Sequence, residues 1–343
     1  MGHVLSAQGQ RALEQQFKHT ALAYGVAVGN AMAGQHFTAT PSVAQTIIKK
    51  IVESANPFLA SLPSIPVSEI TGQKVLLGLS GRVARRTDTA GSGERTPNRL
   101  VSTGTQDYAL KPTEFDIALS YADIDSWAKF PNFADLYMQA VREAIANDIL
   151  QAGWTGTTAA TATNIVTSPL LEDLAIGWLQ KIRAYNGGSQ YAIGTVGVPI
   201  SIGATGTYKN LDEAVHDIKQ TVAARFRKRG DLVALISDDL MVSAEDAYYQ
   251  THGNTPTEKA LLGGSITKAF GGVPSVTPPF YPDKTVLITP LKNLATYYQD
   301  SSVRRLQRDW PSKDEVQEFN SLNMGYVVQE EEATALVENI TLV

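Results

Sequence analysis

The segment from Ser80 to Thr105 sets the strongest limit on what this chain can become. It is dense in Gly, Thr, Ser and Arg and holds almost no large apolar side chains. A stretch that long without structure of its own is uncommon inside a compact domain, except where it is functional. It has nothing to bury against its own body, so ordering it there would cost conformational entropy with little hydrophobic return. It is also charged. From Thr71 to Thr105, Lys74, Arg82, Arg85, Arg86, Arg95 and Arg99 stand against Asp88 and Glu94. The opposite charge gathers at the far end of the chain. From Asp309 to Val343 the acids Asp309, Asp314, Glu315, Glu318, Glu330, Glu331, Glu332 and Glu338 face a single base, Lys313.

The rest of the chain has the means to fold. Its 343 residues are 43% hydrophobic and 18% charged, enough for about two domains with a sizeable core. Ser6 to about Val28 reads as a helix, weakened and ended by Gly25, Gly29 and Gly34. Pro41 to Glu53 reads as a second, with Ile47, Ile48, Ile51 and Val52 in one stripe. These helices either pack on their own chain or form an arm that packs on neighbours. Ile65–Ile70 and Lys74–Leu79 are strand candidates, and Phe115, Ile117, Leu119 and Tyr121 alternate as a half-buried strand does.

The clearest helix runs from Asn132 to Ala152, with Phe133, Leu136, Tyr137, Ala140, Val141, Ala144, Ile145 and Ile149 on one face. A further helix is expected over Leu171–Tyr185. Gly-rich residues 187–210 follow. Then come a helix over Leu211–Phe226, a strand at Leu232–Ile236, a helix at Ser243–Gln250 capped by Ser243, and strands at Val273–Val276 and Thr285–Ile288. This alternation makes an α/β unit from about 205 to 292. The last fifty residues turn back to β at Leu294–Tyr298, Gly325–Val328 and Thr334–Leu342. The fold class is α+β.

Catalytic patterns are missing from the sequence. It has no cysteine, so no disulfide, cysteine–zinc site or thiol nucleophile, and only five scattered histidines. Gly263-Gly264-Ser265-Ile266-Thr267-Lys268 has the letters of a phosphate loop in the wrong order. Gly91-Ser92-Gly93 lacks a third glycine, and Gly78-Leu79-Ser80-Gly81 is no nucleophile elbow. His216 and Asp217 read as surface residues, and Asp238-Asp239 as a helix start. The basic run Arg225, Arg227, Lys228, Arg229 suits a helix C-terminus, and Glu330-Glu331-Glu332 a solvated run. Trp127, Trp154, Trp178 and Trp310 are core or interface anchors. A net charge of −5 argues against a nucleic-acid coat. No apolar run approaches the roughly 20 residues of a membrane span. No signal-peptide pattern is present, so a soluble protein made in a cytoplasm is expected. Neither a catalytic residue, a metal nor a cofactor is predicted. The residues point to a protein that acts by binding copies of itself, because segments unable to pack on their own chain gain stability on another.

Several blocks sharpen this. Val67-Ser68-Glu69-Ile70-x-Gly72-x-Lys74 precedes Thr87-Asp88-Thr89-Ala90-Gly91-x-x-Glu94-Arg95-x-Pro97. Ala175-Ile176-Gly177-Trp178-Leu179-Gln180-Lys181, Tyr297-Tyr298-x-Asp300-x-x-x-Arg304-Arg305 and Asn323-x-x-Tyr326-Val327-Val328 come later. In this order, from about Thr40 to the C-terminus, they resemble the major capsid proteins of P-two-like (Peduovirus-type) tailed phages. The first forty residues match poorly.

The resemblance implies the Hong Kong 97 fold. On that layout residues 1–70 form an N-terminal arm and 71–107 an extended β-hairpin loop. Residues 108–204 begin a peripheral domain with its spine helix at 132–152. An α/β axial domain follows at 205–292, and 293–343 return to the peripheral sheet. The resemblance also implies hexamers and pentamers closing an icosahedral head around double-stranded DNA, touched by weak non-specific contact. A scaffold or maturation protease and a portal protein would be further partners, with assembly in the bacterial host cytoplasm and the virion as destination. An encapsulin-like compartment shell and a soluble hydrolase are the alternatives. Arg82, Arg85, Arg86 and Arg95, with Asp88 and Glu94, are the expected loop contacts. Glu315, Glu318 and Glu330–Glu332 are the acids expected on a neighbour. Gly29 and Gly34 mark where an arm could be trimmed.

Overall fold

The computed structural model describes residues 5–24, 27, 37–55, 57–79, 84, 86, 94, 101–128, 130, 132–193, 200–252 and 269–343. Helix α1 (Ala7–Tyr24) is followed by β1 (Phe37–Thr38), α2 (Pro41–Ala55), α3 (Pro57–Ser61) and β2 (Ser64–Val67). Strands β3 (Thr71–Leu79), β4 (Val101–Ala109), β5 (Lys111–Glu114) and β6 (Ile117–Ser120) come next. Then follow α4 (Tyr121–Trp127), α5 (Phe133–Thr155), α6 (Trp178–Ala184), β7 (Tyr191–Ile193), β8 (Ser201–Ile202), α7 (Leu211–Thr221), β9 (Leu232–Ile236) and α8 (Asp238–His252). The chain ends with β10 (Ala269–Phe270), β11 (Val273–Val276), β12 (Val286–Pro290), β13 (Leu294–Gln299), β14 (Arg304–Trp310), β15 (Glu315–Val328), β16 (Ala335–Glu338) and β17 (Thr341–Leu342).

Two sheets organise these elements. The first is built on the fourteen residues of β15. One edge of β15 takes β14 and then β13; the other takes β6 and then β5. Strands β1 and β2 complete it at its ends. Helices α2 and α5 cover one face, with Ala44, Ile48 and Ile51 packed among Val141, Ile145 and Leu150 and above Leu322, Met324 and Tyr326.

The second sheet has the order β10-β11-β9-β12-β16-β7. Its central strands read as near-continuous apolar runs because both faces are covered. Leu232, Ala234 and Ile236 turn toward α7, while Leu235 on the opposite face joins the core shared with the first sheet. Leu287 and Leu336 alternate in the same way against Val286, Ile288, Ala335 and Val337.

Several expected elements change. The helix expected from Leu171 begins only at Trp178. Leu171 has φ 63°, and Gly177 is extended where its backbone lies on that of Gly156 (N–O 3.0 Å). Helix α7 stops at Thr221, five residues early, because Val222 turns to ψ 136°. Helix α8 starts at Asp238, so Ser243 lies inside it and caps nothing. The expected strand from Phe115 to Tyr121 shortens to β6, Phe115 lies in the gap after β5, and Tyr121 opens α4 behind the cap Ser120. Leu136, expected inside, is half exposed. The last fifty residues do not return to one sheet: β13–β15 do, but β16 pairs with β12 and β7 in the second. Both early helices pack on their own chain, α1 through Leu13 and Phe17 against Tyr121, Ile124 and Val316.

Candidate assembly surfaces

Strands β3 and β4 pair residue for residue from Thr71↔Ala109 to Leu79↔Val101, and among the described strands they pair with no other. The hairpin is therefore a two-stranded ribbon separate from both sheets. The sequence pattern marked only its first strand, at Lys74–Leu79; β4, which begins inside the stretch read as a loop to Thr105, was expected only through the family resemblance. Of the expected loop contacts, Arg86 and Glu94 are exposed. Arg82, Arg85, Asp88 and Arg95 lie outside the described residues, as do Gly29 and Gly34.

The root of the hairpin is held tightly. The Leu110 amide donates to the Ile70 carbonyl (2.8 Å). The Tyr108 ring meets Tyr297 edge-on at 5.2 Å and lies over Gly72, where a side chain would collide with it. Lys74 turns inward: its Nζ donates to the Val328 carbonyl and lies 3.4 Å from Glu331 Oε1. Burial lowers the pKa of Lys74, and the Glu331 carboxylate opposes that fall.

The acidic run Glu330–Glu332 is not a free solvated patch. Each carboxylate has a base of its own chain. Arg229 reaches Glu330 at 2.9 Å, Lys74 reaches Glu331, and Arg225 reaches Glu332 at 2.7 Å. Arg225 and Arg229 also lie over the Phe226 ring, 4.7 and 5.5 Å from its centre. These arginines lie beyond the end of α7 rather than at its C-terminal carbonyls. Arg227 donates at the helix end, to the carbonyl of the C-cap residue Val222 at 2.6 Å.

Glu318 is corrected outright as a neighbour-facing acid. Its side chain has no exposed surface, and that of Arg305, 2.7 Å away, is 3% exposed. Gln16 of α1 donates to the same carboxylate at 2.7 Å, and Gln307 donates to it as well. Spacing could have shown this. Val316, Glu318, Asn320 and Leu322 share one face of β15 by the two-residue repeat, and that face is inward. Gln16, Arg305 and Gln307 went unnoticed because nothing local marks a polar side chain as buried. Glu315 is half-buried and accepts from Gln317 at 2.7 Å.

The tryptophans divide. Trp154 and Trp178 are enclosed, 4.9 Å apart, with Tyr281 against the first and Tyr326 against the second. Trp178 Nε1 donates to the Ala295 carbonyl at 3.0 Å. Trp127 is half exposed beside Phe130 at 5.6 Å, and Trp310 lies under the Arg308 guanidinium at 3.6 Å.

The segment between α5 and α6 is a closed loop, tied by Thr157 N to Glu172 O (2.8 Å) and Asn164 N to Asp173 Oδ2 (2.8 Å). It presents Ile165 (74% exposed) and Val166 (85% exposed) to solvent. Ordered backbone beneath exposed apolar side chains is a ready contact surface. Among the described residues no cluster of histidine or acidic side chains could hold a metal ion, and no helix is long and apolar enough to cross a membrane.

Known proteins match along nearly the whole chain. The family described as "Phage major capsid protein, P2 family" matches residues 12–340, so the match takes in most of the first forty residues, upstream of Thr40 where the resemblance read from the sequence begins. The "Capsid proteins" product of Escherichia phage P2 is 31% identical over 341 residues, covering 95% of this chain and 94% of its own. The major capsid protein of Serratia phage KSP20 is 30% identical, covering 92% of each. Among solved structures, a chain of the satellite phage P4 procapsid, which includes the size determination (Sid) protein, superposes with a TM-score of 0.71 at 30% identity. That match covers 87% of this chain and 99% of the other.

Proposed function

The chain belongs to the P2 family of phage major capsid proteins, and from that membership we propose that its copies form the hexamers and pentamers of an icosahedral head enclosing double-stranded DNA. It is a major capsid protein of tailed phages with the Hong Kong 97 type of fold, and its place is the virion. Capsids are assemblies of many copies, so its first partner is itself. A scaffold or maturation protease, a portal protein and the packaged DNA are the further partners of the proposal, with assembly in the host cytoplasm. The family match favours a phage head over an enzyme compartment or a hydrolase.

One observation carries the assembly mechanism: the β3–β4 ribbon pairs with neither sheet of its own chain. In this reading the basic connection between β3 and β4, with Arg82, Arg85, Arg86 and Arg95 in its sequence, lies across an adjacent subunit and meets acids there. Glu315 has room for such a contact. Glu330–Glu332 take part only by sharing carboxylates that Arg229, Lys74 and Arg225 already hold. Each exposed pair contributes only about 0–1 kcal/mol, so their role is register and angle, repeated around the shell.

The proposed domains are an arm (1–70), the extended loop (71–107), a peripheral domain (108–204 and 293–343) and an axial domain (205–292). The axial unit also draws in β7 and β16, which hydrogen-bond into its sheet. Trimming of the arm near Gly29–Gly34 would release α1 while leaving α2 in the core. Deleting residues 81–97 tests the hairpin's role. The variant should remain a folded, soluble subunit by circular dichroism and should close no shells by electron microscopy; closed shells would overturn the assignment.

A further inference from the structure

We propose that Lys74 is a positioning residue that couples the angle of the β3–β4 hairpin to the joint between the two sheets, with Glu331 as its receiver. The inference rests on the capsid reading for its consequence in shells, but not for its mechanics.

A ribbon bonded into neither sheet takes its direction from its root. There the ring contact of Tyr108 with Tyr297 fixes position on one side. The other fixed point is Lys74. It stands four residues into β3, yet its side chain is only 5% exposed. A buried ammonium is unfavourable unless its partners are specific, and these partners lie at a particular place in the fold. Val328 is the last residue of β15, and Glu331 opens the 3₁₀ turn Glu331–Ala333 through which the chain passes from the first sheet to β16 in the second. Lys74 thus grips the crossing itself.

The crossing is anchored from both sides. Glu330 and Glu332, flanking Glu331, are held by Arg229 and Arg225 of the segment between α7 and β9. Asn293 clasps Glu330 from the first sheet's side, donating to its carbonyl at 2.9 Å and accepting from its amide at 2.6 Å.

Helix α6 spans the same joint. Trp178 bonds β13 in the first sheet, and Arg183 makes a two-point bond to Glu338 in the second, with Nε–Oε2 at 2.8 Å and Nη2–Oε1 at 2.5 Å. Between them Lys181 sits in the field of the same pair. Burial and the nearby Lys74 charge lower its pKa, while Glu331 raises it. Glu331 thus holds the hairpin's ammonium by contact and acts on the bridging helix's ammonium through its field, with Glu330 also acting on Lys74. Any change in the angle between the sheets moves Val328 and Glu331 together and carries Lys74, and the ribbon, with them. In a shell whose subunits meet at different angles, this would let the hairpin follow the body without a separate hinge.

Hydrogen exchange on the full chain tests the coupling in Lys74→Met, which keeps length and removes charge, and in Glu331→Gln. In both variants, backbone amides at the hairpin root (Gly72, Leu110) and at the joint (Ala333, Thr334) should lose protection together, by roughly tenfold or more. The double variant should lose no more than the worse single. Loss confined to β3 and β4, with Ala333 and Thr334 unchanged, overturns the proposal. So does additive loss in the double variant. If Lys74→Met fails to fold, Glu331→Gln alone decides, since it keeps an acceptor for Lys74 and leaves the Val328 contact in place.

Electron microscopy reads the consequence. Lys74→Met should give open or irregular sheets where the wild type gives uniform shells, and uniform shells from the variant would overturn it. A wild-type chain that forms no shells would instead sink the capsid reading, while coupled exchange would still stand.

Discussion

Replacing Glu318 with Gln should destabilise the subunit strongly. The side chains of Glu318 and Arg305 are 0% and 3% exposed. Gln keeps an oxygen to accept from Gln16 and Gln307, but it turns an NH₂ group toward the Arg305 guanidinium. The buried cation then loses the carboxylate it faces. Breaking a buried pair from one side costs about 3–5 kcal/mol. A loss near 4 kcal/mol lowers the folded-to-unfolded ratio roughly a thousandfold at about 1.4 kcal/mol per decade. That is a large share of the roughly 5–15 kcal/mol that holds a typical domain together. Urea unfolding of the unassembled subunit, followed by tryptophan fluorescence, measures it. Adding Arg305→Met removes the buried cation that faces the new amide and should recover stability over Glu318→Gln alone. The α1 helix should also exchange amide hydrogens faster in Glu318→Gln, because Gln16 docks it on this carboxylate. A loss under about 1 kcal/mol, or a double variant less stable than Glu318→Gln, would refute the reasoning.

Two further outcomes are expected. Gly153→Ala places a methyl group 2.2 Å from Trp178 Cζ3, so the Trp154–Trp178 stack must shift at a cost of about 1–3 kcal/mol, read as a lower urea midpoint. Tyr208 donates to Asp217 at 2.5 Å, and burial followed by that bond raises its pKa to about 12. A group whose folded pKa lies above its unfolded value stabilises fully below the unfolded pKa, near 10. That contribution is lost as pH climbs toward 12. Tyr208→Phe should flatten the stability-against-pH curve in that window, and an unchanged slope would contradict the assignment.

Periodicity and composition carried much of the architecture in the sequence itself. The stripe along α5, the apolar run Leu232–Ile236 and the unpackable stretch after Leu79 each follow from where apolar side chains fall, because burial is the dominant local demand on a chain. The ordered blocks from Val67 to Val328 carried the family. Only tertiary structure decided the fate of charged residues. Glu315, Glu318 and Glu331 are the same residue within one acidic tail. Yet one is half-buried on the first sheet, one is sealed under α1, and one receives a lysine from the hairpin. Their partners, Arg305 and Lys74, lie 13 and 257 positions away. A carboxylate's role depends on which base and how much water surround it, and chain folding sets both. The same holds for β16: its four residues read as a strand, but the sheet that receives them was settled by the crossing at Glu331–Ala333.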